Sequence, residues 1–206
     1  MSRAQQAIQE QYDVALDRKN HPVGGKSYTN YLYTQGLDKI LKKCGEETFE
    51  AVIAAKNDDA AETVGELNDV IYHVTVLLCQ QEVPLSAVMD ALNTRCAARG
   101  LGVDEVYDII AQRGASGDAD SYTAYLFGQG LDKILKKVGE ACSLLLLAGK
   151  AGDREKIAYE TADLLYHLLA MMVAKDIPLA ALADELDRRS GKTGNLKTFH
   201  TTDLNT

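Results

Sequence analysis

The run Gly36-Leu37-Asp38-Lys39-Ile40-Leu41-Lys42-Lys43 returns unchanged as Gly130-Leu131-Asp132-Lys133-Ile134-Leu135-Lys136-Lys137, and Ser27-Tyr28-Thr29 returns at the same offset as Ser121-Tyr122-Thr123. Carried forward without a gap, that offset pairs Glu66 with Glu160, Asp69 with Asp163, Tyr72-His73 with Tyr166-His167, Pro84-Leu85 with Pro178-Leu179 and Arg95 with Arg189. Roughly 29 of the 69 positions from Ser27 to Arg95 are identical in this register, which means two homologous halves. They are joined near Gly100 to Gly102, so the expected units are residues 1–100 and 101–206. A solenoid needs three or more stacked units; two copies of this length predict a fused dimer of small helical domains.

Within each copy the apolar spacing is helical. Leu37, Ile40, Leu41, Cys44, Thr48, Ala51, Val52 and Ala55 form one stripe at a period of 3.6 residues, and Val64, Leu67, Val70, Ile71, Val74, Leu77 and Leu78 form another. Two long helices, near 37–56 and 60–81, are predicted to pack face to face. Ser27 is the predicted N-cap of a short helix before Gly36, and Asn57-Asp58-Asp59 supplies a turn and the next cap. Pro84 starts a further helix expected to end near Arg99-Gly100, and an opening helix is expected from Gln5 to Arg18. Each half is then an antiparallel helical bundle too small to bury a generous core alone. Three prolines, no Trp and runs of Ala, Leu, Lys and Glu agree with an all-α chain.

The 206 residues, 46% hydrophobic and 25% charged, have the balance of a globular protein and exclude disorder. A net charge of −8 has the wrong sign for coating a nucleic-acid backbone or an anionic membrane, so neither partner is expected. Cys44, Cys79, Cys96 and Cys142 form no CxxC pair and no zinc spacing; they read as reduced thiols in a cytoplasmic protein. The opening residues lack the apolar stretch of a signal peptide. The most apolar segment, Leu164 to Ala174, is too short for a bilayer and contains Tyr166 and His167.

Chemistry is concentrated in acids. Glu46-Glu47-Thr48-Phe49-Glu50 lies on the first long helix and Glu66-Leu67-Asn68-Asp69 on the second. Residues three or four apart share a helix face, so Glu47 sits with Glu50, and Glu66 with Asp69 and His73. Both groups flank the apolar stripe, where packing brings them together. Four carboxylates converging at a half-buried seam repel one another unless a divalent cation joins them, and hard oxygen ligands without thiolate select Mg²⁺ or Mn²⁺. A plainer reading stays open beside it: solvated faces with i,i+4 pairs such as Lys42–Glu46 and Lys43–Glu47. A di-iron bundle is disfavoured, since no Glu-x-x-His pair stands in the seam.

Together, Ser27-Tyr28-Thr29, Gly36 to Lys43, Gly45-Glu46-Glu47-Thr48-Phe49-Glu50, Lys56 and Glu66-Leu67-Asn68-Asp69-Val70-Ile71-Tyr72-His73 resemble the phosphoribosyl-ATP pyrophosphatase family of histidine biosynthesis. That family belongs to the MazG-like all-α nucleotide pyrophosphohydrolases. The resemblance covers nearly the whole chain twice over. It implies hydrolysis of phosphoribosyl-ATP to phosphoribosyl-AMP and pyrophosphate, with Mg²⁺ held by the catalytic acids Glu47, Glu50, Glu66 and Asp69 and with Glu46 as the nearest further acid. It also favours Lys39 and Lys43 as partners of phosphate oxygens, on the flank of Glu46 and Glu50, and adds Lys56. Tyr72 is a candidate for stacking on a base. His73 reads better as a buried, hydrogen-bonded histidine.

The second copy departs from this pattern. Glu47 becomes Ala141 and Glu50 becomes Leu144, followed by Leu145-Leu146-Leu147, while Glu140, Glu160, Asp163 and His167 remain. Losing two of four ligands predicts no competent metal site there, with apolar packing surface in place of the cage. Lys133, Lys136 and Lys137 are expected to face phosphate across the pseudo-dimer interface. Whether the pseudo-dimer pairs again is open. The rivals are a MazG-like house-cleaning nucleotidase and a catalytically silent helical scaffold. Gly25-Lys26-Ser27 and Gly191-Lys192-Thr193 imitate the end of a P-loop, but Asn20 and Leu186 replace the required glycines. The stretch from Gly191 to Thr206 reads as an irregular polar tail.

Overall fold

The computed structural model describes residues 2–23 and 27–190; the P-loop imitations, apart from Ser27, and the predicted C-terminal tail lie outside these. Among the described residues there are ten helices and no strand. The first half contributes α1 (Arg3–Asn20), α2 (Tyr28–Gln35), α3 (Leu37–Lys56), α4 (Ala60–Gln80) and α5 (Leu85–Arg95). The second repeats the order as α6 (Val103–Ala115), α7 (Tyr122–Gly128), α8 (Leu131–Ala151), α9 (Arg154–Ala174) and α10 (Leu179–Ser190). The all-α pair of homologous bundles expected from the repeat is what forms.

The helix ends follow the local chemistry. Ser27 and Ser121 accept hydrogen bonds from the amides of Asn30 and Ala124, and Asp59 and Asp153 from those of Glu62 and Lys156. The corner before each long helix is taken by Gly36 and Gly130 at φ 82° and 83°, a backbone region that side chains disfavour. One end differs from expectation: α5 stops at Arg95, short of Arg99. The Asn93 amide donates to the carbonyls of Met89 and Leu101, and its oxygen accepts from the Leu101 amide. This clasp folds residues 96–100 back as a reversal.

The two helical hairpins, α3/α4 and α8/α9, meet through α3 against α8. Matched contacts mark a pseudo-two-fold axis: Lys56 pairs with Asp132, and its counterpart Lys150 pairs with Asp38. The fifth helices cross over. α5 packs on α9 of the other half, while α10 packs on α1 and α4. One continuous core results, running through both halves. No single helix among the described residues is long and apolar enough to cross a membrane.

At the seam, side chains of the first half press against the α8 backbone. A Cβ on Gly149 would lie 2.7 Å from Leu41 Cδ2 and 3.5 Å from Leu77 Cδ1. Gly149→Val is therefore expected to lower stability by about 1–3 kcal/mol through overpacking, read as a lower urea midpoint with unchanged slope. An unchanged midpoint would mean that the seam is looser than these distances require.

Candidate active site

α3 and α4 present their acids to one another because the same apolar stripes that pair the helices carry Glu47 and Asp69 at their edges. Glu47 is 3% exposed and Asp69 8%, with Glu66 half-buried beside them. One carboxylate oxygen from each lies within 4.8 Å of the others. Glu47 Oε2 is buried and lacks a hydrogen-bond partner, an arrangement that costs free energy unless something positive meets it. Hard oxygens, convergence and an orphaned acceptor all fit a divalent cation.

The other expected ligands stand differently. Glu46 is half-buried and held by Lys42 at 3.4 Å and Lys43 at 2.9 Å. Glu50, one turn beyond Glu46, is exposed and outside the group of three. The plainer helix-face reading is thus also realised, since Lys43 reaches Glu47 as well, at 3.3 Å. Burial works against the charge on Lys43, but the hydrogen bond to Glu46 and the field of Glu47 outweigh it and raise its affinity for the proton. Burial also works against the Glu46 carboxylate, and the two lysines reverse that and hold it below its ordinary range.

The lysines expected at substrate separate into groups. Lys39 is half-buried one turn before Lys43 on the same face. Lys56 is engaged across the seam by Asp132. Lys133 lies 5.9 Å from the centre of the Tyr125 ring, Lys136 pairs with Glu140 at 3.5 Å and Lys137 with Glu140 at 2.7 Å. These last three contacts all lie within the second half.

His73 is buried, with Nδ1 2.8 Å from the Asp69 carbonyl and Nε2 3.3 Å from the Tyr28 hydroxyl. The carbonyl can only accept, so Nδ1 carries the proton and Nε2 accepts from Tyr28. Burial lowers the His73 pKa and favours this neutral form. Tyr72 and Thr29 share a 2.8 Å hydrogen bond, and burial lifts the Tyr72 hydroxyl to about 12.

One residue of the site was not singled out by sequence reasoning. Arg189, on α10 of the second half, places Nη1 2.7 Å from Asp69 Oδ1 and Nη2 3.2 Å from the Gly65 carbonyl. Glu185 holds the same guanidinium through Nε at 2.6 Å. The signal was present in the pairing of Arg95 with Arg189, but its meaning depends on α10 crossing to the other half. The counterpart obeys the symmetry, because Arg95 pairs with Asp163.

Hydrogen bonding from Arg188, with Arg189 adding to it, depresses the Glu185 carboxyl to about 2. A carboxyl whose folded pKa is depressed stabilises the fold above its unfolded pKa, near 4.3, and loses that contribution as pH falls through the folded value. Glu185→Gln is therefore expected to be less stable than the parent at pH 7, with the gap closing between about pH 4.5 and 2. Urea melts across that range test this, and a gap independent of pH would refute it.

In the second half Ala141 occupies the place of Glu47 and is buried. Of the leucines expected as packing surface, Leu145 is buried and Leu146 packs at the seam, but Leu144, in place of Glu50, does not join them. It is 42% exposed, and Leu147 is 66% exposed, because this register lies on the outer side of α8, just as Glu50 does on α3. Burial and the charge of Asp163 raise the Glu160 carboxyl. Asp163 itself is turned towards Arg95 and His167.

Residues 10–96 and 103–190 each match the family described as phosphoribosyl-ATP pyrophosphohydrolase. The chain is 49% identical over 92 residues to the phosphoribosyl-ATP pyrophosphatase of Trichlorobacter lovleyi, covering 45% of this chain and 85% of that protein. It is 51% identical over 90 residues to the protein of that name from Clostridium novyi, covering 43% and 79%. The histidine biosynthesis bifunctional protein of Thermoanaerobacter pseudethanolicus is 52% identical over 83 residues, 40% of this chain and 38% of that one. No solved structure is a significant match.

Proposed function

Since the chain belongs to the phosphoribosyl-ATP pyrophosphohydrolase family, we propose that its first half hydrolyses phosphoribosyl-ATP to phosphoribosyl-AMP and pyrophosphate, a step of histidine biosynthesis. The observation that carries this reading is the convergence of Glu47, Glu66 and Asp69, whose second-half counterparts include Ala141. Residues 1–100 are then the catalytic repeat, and residues 101–206 a degenerate repeat that braces it.

Glu47, Glu66 and Asp69, with Glu50 from the open side and Glu46 nearby, would hold Mg²⁺ or Mn²⁺. Such an ion, when bound, offsets the charge that builds on the phosphate oxygens. The chain's own residues orient the substrate. Lys43 and Lys39 offer ammonium groups to a polyphosphate along one helix flank, and Lys43 is already charged and anchored by Glu46. Arg189 fixes the Asp69 carboxylate through Oδ1. The neutral His73 locks Tyr28, and Thr29 locks Tyr72, so the aromatic wall beside the acids keeps a single arrangement. The enzyme is proposed to act as a cytoplasmic single-chain pseudo-dimer, independent of nucleic acid and membrane.

Pyrophosphate release from phosphoribosyl-ATP, measured beside ordinary nucleoside triphosphates and with EDTA in place of metal, tests the proposal. The expected result is turnover of phosphoribosyl-ATP that EDTA abolishes. Preference for ordinary triphosphates would assign a house-cleaning role instead, and no turnover of any substrate would leave a scaffold.

A further inference from the structure

The second half contains a polar cleft of about 680 Å³ that the hydrolysis does not use. It falls within the 300–1,000 Å³ typical of small-molecule sites. Its floor is the Tyr122-Thr123-Tyr166-His167 network, built with the bonds of the first half: Tyr122 hydroxyl to His167 Nε2 at 3.2 Å, Thr123 to Tyr166 at 2.6 Å and His167 Nδ1 to the Asp163 carbonyl at 2.8 Å. The decay of the second copy therefore removed two of the expected cation ligands and left this network in order.

With Ala141 in place of Glu47 the site carries less negative charge than its first-half counterpart. Arg95, from α5 of the first half, enters the cleft, pairs with Asp163 and stacks with its guanidinium carbon 4.2 Å from the Tyr166 ring centre. Asp163 is thereby paired, as Asp69 is by Arg189 in the first half. The Arg95 Nε is buried and donates to no partner among the described residues, although a guanidinium N–H in that position normally has an acceptor. Arg113 and Lys137 line the same space. The remaining carboxylates, Asp118 and Asp120, stand exposed on the α6–α7 loop at its edge.

We infer that this cleft binds a nucleoside monophosphate without metal and without hydrolysing it. Arg113 and Lys137, the latter now paired with Glu140, suit a phosphate; Asp118 and Asp120 suit the ribose hydroxyls; and Tyr122, 43% exposed, offers a face for the base. Because Glu47 and Glu66 together repel anions when no cation is bound, whereas the second half has Ala141 in place of Glu47, EDTA keeps a phosphate out of the first half while leaving the second-half cleft competent.

Equilibrium dialysis of the full chain against AMP in EDTA tests the inference without needing turnover, so its outcome is separate from that of the hydrolysis assay. The expected result is one saturable site per chain, weakened about tenfold or more by Arg113→Gln and by Tyr122→Leu, and unchanged by Tyr28→Leu in the first half. Circular-dichroism melts check folding. If Tyr122→Leu melts early because His167 loses its donor, Arg113→Gln still decides. Absence of saturable AMP binding, survival of binding in Arg113→Gln, or its loss in Tyr28→Leu would each overturn the inference.

Discussion

Glu47→Gln and Asp69→Asn are expected to lower the rate of pyrophosphate release by about a hundred- to a thousandfold or more, whereas Glu160→Gln and Asp163→Asn change it only a few-fold. The asymmetry follows from burial and company. Glu47 and Asp69 are nearly buried and converge with Glu66, so each amide removes a charge from the centre of the cage. Asp163 pairs with Arg95 as Asp69 does with Arg189, but its half has Ala141 in place of Glu47, so its loss costs local stability rather than a cation ligand. A second readout separates binding from folding. In the parent, Mg²⁺ at a hundred times its dissociation constant adds about 2.7 kcal/mol of stability, and Glu47→Gln should lose that increment. Without metal the same variant should be no less stable than the parent, because a repulsive charge has gone. Equal kinetic losses from both halves, or a metal-induced shift that persists in Glu47→Gln, would place the site elsewhere.

A fragment ending at Gly100 should not survive as an active monomer. Leu41, Leu77 and Gly45 of the first half pack against Gly149 and Leu146 of the second, and α10 covers α1 and α4. Removing the second half exposes these faces on a domain of about 95 residues, whose buried fraction is small from the start. The pseudo-symmetry suggests the rescue: a second copy of the fragment supplies its α5 where α10 lay, bringing Arg95 to Asp69 in place of Arg189. The fragment is therefore expected to dimerise, and dilution below the dimer dissociation constant should cost activity and helicity together. Light scattering and circular dichroism over a concentration series measure this. A stable, monomeric, fully active fragment would refute the interlocked arrangement.

Much of this was legible in the chain itself. The repeat, the all-α class, the two hairpins and the serine and aspartate caps follow from periodicity and local hydrogen bonding, which act over a few residues. So does the meeting of Glu47 with Glu66 and Asp69, since helical spacing fixes which side chains flank a packed stripe. What escaped depends on how the halves lie against each other. Lys56 is a free-looking lysine until α3 meets α8 and Asp132 appears opposite it. Leu144 reads as packing surface until it proves to stand 42% exposed at the rim of the α3/α8 seam, beside Phe49 and Ile53. Arg189 is one more charge on an amphipathic helix until α10 is seen on α4, because no local rule tells a helix which of two equivalent bundles to join.

The crossing of α5 and α10 also sets the order of events during synthesis. Arg189 meets a carboxylate 120 positions behind it in the chain. At about 5–20 residues per second, the nascent first half waits on the order of ten seconds for its last structural element. Throughout that interval its α1–α4 face is uncovered while neighbouring ribosomes on the same message hold identical faces close by. Fusing the two copies into one gene shortens the search for the covering helix, and it leaves each newborn chain a brief period in which a chaperone, or the wrong sister chain, can reach that face first.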